Sequence, residues 1–349
     1  MLIIDGSQGE GGGQVLRTSL SLAALTGWPF TLTNIRANRA KPGLRPQHVT
    51  AVHAAAALCQ AEIKGAGLNS QTLEFRPQIP TRAGNYRFDV TDAAQGGSAG
   101  SVTLILQALL WPLLFADGPS QLSLHGGTHV PFSPPYHYLA EVARPAFARF
   151  GAEFALELVD WGWYPAGRGA VTAVIQPKSQ LQAVDFAPVS VHKVSGVAAV
   201  TNLPAHIPQR MARRADNLLR QAGFATDIQP LRERGCGPGA GLVLWLPQAG
   251  FTSLGRKGLP ADKVAETAVA DLLAFVDNKT AIDKHLADQL LIPMALGHGR
   301  STLTTNQLTQ HTLTNAHLLR QWLDVSITIT GDLGEPAQIE VTGINYQLA

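Results

Sequence analysis

The sequence predicts a layered α/β protein in which one sheet-plus-two-helix unit occurs three times and a smaller α/β domain interrupts the chain. Three observations carry this expectation. Apolar residues alternate with period two in some stretches and recur every three or four residues in others, so strands and helices interleave. The order helix, strand, helix, strand, strand returns three times, by period and not by residue identity. Between the second and third rounds lies material that this order does not need, which assigns residues 1–180 and 279–349 to a repeat-built catalytic domain and 181–278 to an inserted domain.

In chain order, Leu2-Ile-Ile reads as a strand, and Val15, Leu16, Leu20, Leu22 and Leu25 mark a helix over 14–24. A strand is expected at 30–35, an alanine-rich helix at 46–59, and strands near 61–64 and 72–75. The second round opens at Gly96-Gly-Ser-Ala-Gly100 with a helix to residue 114, a strand at 121–124, a helix over 135–150, and strands near 153–159 and 170–175. The third has helices at 283–296 and 313–323, with strands at 301–304, 325–330 and 339–341. The insert reads strand 189–194, helix 208–222, strands 226–230 and 242–246, and helix 261–276.

The chain has 349 residues, 45% of them hydrophobic and 15% charged, a balance typical of a globular protein with a sizeable core. A net charge of +2 leaves attraction to nucleic acid to local patches. Cys59 and Cys236 are distant in sequence and read as reduced thiols. The strand-like start leaves no room for a signal peptide, and the longest apolar stretch, 104–115, is too short for a bilayer. A soluble, cytoplasmic protein without membrane partners is expected.

Three segments carry chemistry. The first is Asp5-Gly-Ser-Gln-Gly-Glu-Gly-Gly-Gly-Gln-Val-Leu-Arg17, five glycines leading into a helix with Glu10 among them and Arg17 one turn in. Bare backbone N–H groups and a helix N-terminus suit an anion, most naturally a phosphate. The spacing matches neither Gly-x-Gly-x-x-Gly nor a loop ending in Gly-Lys-Ser/Thr. A tight turn that only packs is the alternative. The second segment places Arg36, Arg39, Lys41 and Arg45 within ten residues, just before Gln47 and His48 at a helix start. Arginine forks match phosphate oxygens, although a solvated charged turn would show the same composition. The third is Gln310-His-Thr-Leu-Thr-Asn315. At a helix N-terminus the dipole disfavours imidazolium, and a neutral imidazole has a lone pair with which to attack phosphorus. An ordinary surface histidine is the alternative for His311. Upstream, Asp288 offers a carboxylate that could bind a metal or orient an imidazole. Neither a His-Glu-x-x-His or Cys-x-x-Cys metal pattern nor a Gly-x-Ser-x-Gly elbow occurs. Arg210, Arg213 and Arg214 line one helix face of the insert, which could touch RNA but reads first as a solvated face.

Together these segments resemble the RNA 3′-terminal phosphate cyclase family. The likeness rests on 5–17, on Arg36-Ala-Asn-Arg-Ala-Lys-Pro-Gly-Leu44 with Gln47-His48, and on Gly96-Gly-Ser-Ala-Gly-Ser101. It continues through Gly162-Trp-Tyr-Pro-Ala-Gly167, Ala287-Asp-Gln-Leu-Leu-Ile-Pro-Met294 and His311-Thr-Leu-Thr-Asn315, so it spans almost the whole chain. It implies three repeats of a four-stranded sheet with two helices, plus a small inserted α/β domain. It also implies ATP-dependent conversion of an RNA 3′-phosphate end to a 2′,3′-cyclic phosphate, with release of AMP and pyrophosphate. His311 would be the nucleophile that becomes adenylylated, and Arg17, Arg36, Arg39 and Gln47 would surround the phosphates. Glu10 would help hold a divalent cation, Mg²⁺ or Mn²⁺. Gln107, the Thr128–Pro131 loop, His285 and Gln289 would lie near the nucleotide, Phe251 would stack on adenine, and Asp288 would be the acidic residue needed for activity. Three positions depart from the family pattern: His285 for a tyrosine of some relatives, Asp262 for a frequent glutamate, and Arg168 in a glycine run. Two other readings are a non-catalytic relative acting in ribosomal RNA processing and a carboxyvinyl (enolpyruvyl) transferase of related architecture. His311 beside Glu10 and Arg17 favours the cyclase.

Overall fold

Parallel strand neighbours need a crossover between them, and each repeat supplies one in its first helix. The computed structural model describes residues 1–9, 12–94 and 98–347. Repeat one contains β1 (Leu2–Asp5), α1 (Gly13–Thr26), β2 (Phe30–Thr33), α2 (Pro46–Cys59), β3 (Glu62–Lys64) and β4 (Leu73–Arg76). Its sheet runs β1-β2-β4-β3, with β1 and β2 parallel and the rest antiparallel. Repeat two has β5 (Asn85–Asp89), α3 (Val102–Leu114) and β6 (Ser120–Gly126). A helical stretch follows as α4 (Tyr136–Tyr138), a π-helical segment (Leu139–Ala143) and α5 (Arg144–Arg149), then β7 (Phe154–Asp160) and β8 (Gly169–Ile175). The sheet order is again the same, β5-β6-β8-β7.

The insert comprises β9 (Lys193–Thr201), α6 (His206–Gln221), β10 (Ala225–Glu233), β11 (Gly239–Leu246), β12 (Ala249–Leu254) and α7 (Ala261–Asp277), in the order β10-β9-β11-β12. Repeat three closes the chain with α8 (Lys284–Leu296), β13 (His298–Thr305), α9 (Gln310–Trp322), β14 (Ser326–Thr330) and β15 (Ala337–Ile344). Its three strands lie in the order β13-β15-β14. The fourth edge is a bridged segment: Gln182 and Asp185 pair in parallel with His298 and Thr302. Backbone bonds from Ala183 N to His298 O and from Thr302 N to Val184 O complete the pairing. All three repeats therefore share one sheet plan, and the insert is spliced into the first crossover of the third.

This placement corrects the expected boundary at 181. Leu181, Val184 and Phe186 pack in the large core shared by the repeats, as do Ala281 and Ile282. Residues 181–186 belong with repeat three because they pair with β13. The expected strand at 189–194 lies instead at β9, whose central position between two partners buries both faces and produces a continuous apolar run. β5 and β12 were not expected from the sequence. The Gly96-Gly97 pair lies outside the described residues.

The repeats place their helices in a common core. Every residue of α3 except Gln107 is buried, so that amide is the helix's one polar side facing outward from the core. Phe30 meets Phe75 at 5.7 Å and Trp322 edge-on at 5.6 Å, tying repeat one to α9. The insert has its own core along α6 and α7. It meets repeat two through a small cluster of Trp163, Val197 and Ala199. No helix among the described residues is long and apolar enough to cross a membrane.

Candidate active site

The site forms where the β1–α1 loop meets the N-terminal turns of α2 and α9. Gly9 adopts φ +61 and lies so close to α9 that a Cβ there would collide with Thr314 Oγ1. Gly12, extended at φ −97, caps α1, and a Cβ on it would lie 3.0 Å from Arg39 Nη2. Gly13 would likewise press on His48 Nε2 and sit 3.0 Å from Arg17 Nη1. Glycine at these positions lets two arginines and a histidine approach the helix start. That combination of exposed backbone N–H groups and cations is what an anion requires.

The second segment folds over this loop. Arg36, at φ +56, donates from Nη1 to Lys41 O at 2.8 Å and Gly43 O at 2.9 Å, so it holds its own loop closed. Burial and the charges of Arg45 and Arg39 lower its pKa. A bound anion would relieve this crowding of cations. His48 accepts from Arg45 N at 3.0 Å through Nδ1 as part of a capping box, and burial with three nearby arginines depresses it to about 3. It is thus a neutral structural imidazole whose proton is on Nε2. Gln47 Oε1 accepts from Ser101 N at 3.0 Å and aligns the start of α2 with that of α3.

His311, in the first turn of α9, hydrogen-bonds through Nδ1 to Gln14 Oε1. The same amide donates from Nε2 to Asp288 Oδ2 at 2.9 Å. Burial raises the Asp288 carboxyl to about 7, against the pull of the Arg17 cation and the Gln14 bond. Burial also lowers Arg17 to about 10, with Asp288 opposing. Asn315 ties the helices together: it donates to Asp288 O at 2.9 Å and accepts from Thr18 Oγ1 at 2.9 Å. Beside this group, Gln107 donates to Gln289 Oε1 at 2.7 Å, and Gln289 donates to His285 O at 2.7 Å. His285 itself is exposed on the first turn of α8.

The residues expected from the sequence thus fall into groups. His311, Asp288, Arg17 and Arg39 converge on the start of α1, and Gln107, Gln289 and His285 form an adjoining run. Pro131 is exposed on the loop after β6, next to the buried Thr128, His129 and Val130. Phe251 is not brought to a ligand-facing surface: its ring is buried in the insert core, 5.5 Å from Phe275. Asp262 pairs with Arg210 and Glu266 with Arg214, so the α6 cations are partly neutralised on the surface. Glu10 lies outside the described residues. Among the described residues no three His, Cys, Asp or Glu side chains gather as a cation site.

Sequence reasoning had overlooked Gln14, although its position three residues before Arg17 puts both on one face of α1. It had also overlooked Asp283. That buried carboxylate caps α8 by accepting from His285 N at 2.7 Å and Leu286 N at 3.1 Å. It accepts further from Tyr138 Oη at 2.9 Å and from Gly250 N at 3.0 Å.

Three like-ordered α/β repeats with an arginine-lined helix start form an arrangement suited to an enzyme that handles phosphate. Comparison with known proteins makes this more specific. The family model described as RNA 3′-terminal phosphate cyclase matches residues 8–329. A protein of that name from Gloeothece citriformis is 49% identical over 92% of this chain and 93% of its own. Its namesake from Methylococcus capsulatus is 51% identical over 90% of this chain and 89% of its own. The Pyrococcus furiosus namesake shares 38% over 98% of each. The chain belongs to the RNA 3′-terminal phosphate cyclase family, whose members cyclise RNA 3′-phosphate ends.

Proposed function

We propose that this protein uses ATP to convert an RNA 3′-phosphate end to a 2′,3′-cyclic phosphate through a covalent adenylate on His311. The observation that carries this reading is the hydrogen-bonded run from Asp288 through Gln14 to His311, set against a glycine-lined helix start with Arg17 and Arg39. In the first step the His311 imidazole attacks the α-phosphorus, a nitrogen–phosphorus bond forms, and pyrophosphate leaves. An oxygen of the RNA 3′-phosphate then attacks the same phosphorus and releases His311. The neighbouring 2′-hydroxyl closes the ring and expels AMP. Each step is displacement at phosphorus, so the protein's contribution is positioning and charge neutralisation. Arg17 and Arg39 supply the charge, Gln47 orders the loop around it, and Arg36 braces that loop. Gln107, Gln289, His285 and Pro131 would line the nucleoside side.

Glu10 is the carboxylate we assign to a divalent cation, Mg²⁺ or Mn²⁺, which would neutralise the leaving pyrophosphate. We place the enzyme in the cytoplasm, consistent with free Cys59 and Cys236.

Incubation with ATP labelled at the α-phosphate should leave AMP on the protein, and His311→Ala should abolish that label while the fold is kept. Labelling that persists in the variant would remove His311 from its role. A 3′-phosphate end lacking the last 2′-hydroxyl should accept AMP yet give no cyclic product. Cyclisation of that end would contradict the final step.

A further inference from the structure

We infer that Gln14 is a positioning residue that sets which nitrogen of His311 is the nucleophile. The inference rests on the proposed role of His311 and deepens it. The Gln14 amide presents its N–H₂ end to Asp288 Oδ2, and above about pH 7, where Asp288 is ionised and accepts only, no other orientation of the amide makes that bond. The carbonyl end is then turned toward His311, and Oε1 likewise accepts only. Nδ1 of His311 must therefore carry the hydrogen. In a neutral imidazole this leaves the lone pair on Nε2. Asp288 itself is fixed through its backbone by Asn315, which Thr18 holds in turn, so the direction of the amide is set by packed helices and not by solvent. Gln14 is buried, which keeps water from competing for either end.

The same arrangement serves the product of the first step. When the Nε2 lone pair forms the bond to phosphorus and the bond to pyrophosphate breaks, the ring keeps its Nδ1 hydrogen and becomes cationic. Oε1 already faces that hydrogen, and the amide dipole carries the negative end of Asp288 toward the ring. A cationic imidazole is a better leaving group than a neutral one, so retention of this proton favours the next transfer, to the RNA phosphate.

The test uses the full-length protein with ¹⁵N-labelled histidine above about pH 7, where Asp288 is ionised, and reads the tautomer of His311 without ATP present. The unaltered protein should show hydrogen on Nδ1 and none on Nε2. Gln14→Leu, which keeps the volume but offers no acceptor, should shift the ring toward the Nε2–H form that free histidine prefers. In single-turnover labelling it should load AMP about 10- to 100-fold more slowly, with part of the AMP attached at Nδ1 and KM for ATP little changed. Gln14→Glu, which in its protonated form can donate to Asp288 and accept from Nδ1, should restore the tautomer and load AMP faster than the leucine variant. A leucine variant that keeps Nδ1 protonated, or that loads AMP at Nε2 at the unaltered rate, would overturn the inference. Absence of AMP on the unaltered protein would instead sink the adenylate reading, because the tautomer is measured independently of it.

Discussion

Burial lifts the Asp288 carboxyl to about 7 even though Arg17 and the Gln14 amide both favour its ionised form. In the unfolded chain the same group titrates near 3.8. Between these values the folded protein holds a proton that the unfolded chain has released. Stability therefore falls as pH rises from about 4 to about 7, and stays lowered above that. Its ceiling is about 4 kcal/mol at about 1.4 kcal/mol per unit, and partial solvent access reduces it. Asp288→Asn cannot ionise, so its thermal midpoint relative to the unaltered protein should rise between about pH 4 and pH 7 and level off above. A constant difference across that range would show that the carboxyl titrates normally. At this scale the sequence was partly legible. His311, Asp288 and Arg17 stood out by residue type near helix starts, whereas Gln14 did not, because an uncharged amide has no distinctive chemistry until its two partners are known.

Among the elements, α8 depends most visibly on one capping residue. Asp283 satisfies two N–H groups of the helix, one hydroxyl from α4 and one N–H at β12. Asp283→Ala would leave all four donors without this acceptor, at a cost of about 3 kcal/mol or more. Tyr138→Phe removes one of them and should cost about 1–2 kcal/mol. Urea unfolding of the two variants checks the order, and an Asp283→Ala midpoint equal to that of the unaltered protein would show that Asp283 is dispensable. Helix starts were readable from the sequence because glycines, Pro46 and capping residues act within a few positions. The short strand β5 and the bridged edge at 182–185 were not, since a strand has no identity until a neighbour pairs with it.

For the whole molecule, the distinctive feature is where the insert enters. It separates the first strand segment of repeat three from α8, and then contacts repeat two through Trp163. Gly239 makes this approach possible, because a Cβ there would collide with the indole ring. Gly239→Leu should wedge the seam open, so that the insert melts ahead of the repeats in calorimetry. A single unshifted transition would mean that the seam does not couple the two cores. Repeat period predicted the three sheet-and-helix units, but it placed residues 181–186 on the wrong side of the boundary. Their pairing partner β13 follows more than a hundred residues later, beyond the insert.

By itself the sequence determined the interleaved strands and helices, the threefold order, and the three segments that hold the cations, the glycines and His311. Those are local matters of periodicity, backbone freedom and helix capping, each written within about a dozen neighbouring residues. Only the tertiary structure decided that Gln14 and His311, 297 positions apart, share a hydrogen bond. It also decided that burial dominates the titration of Asp288 and that Phe251 belongs to a core. Proximity and desolvation arise from packing between distant segments, and no pattern within a single segment encodes them.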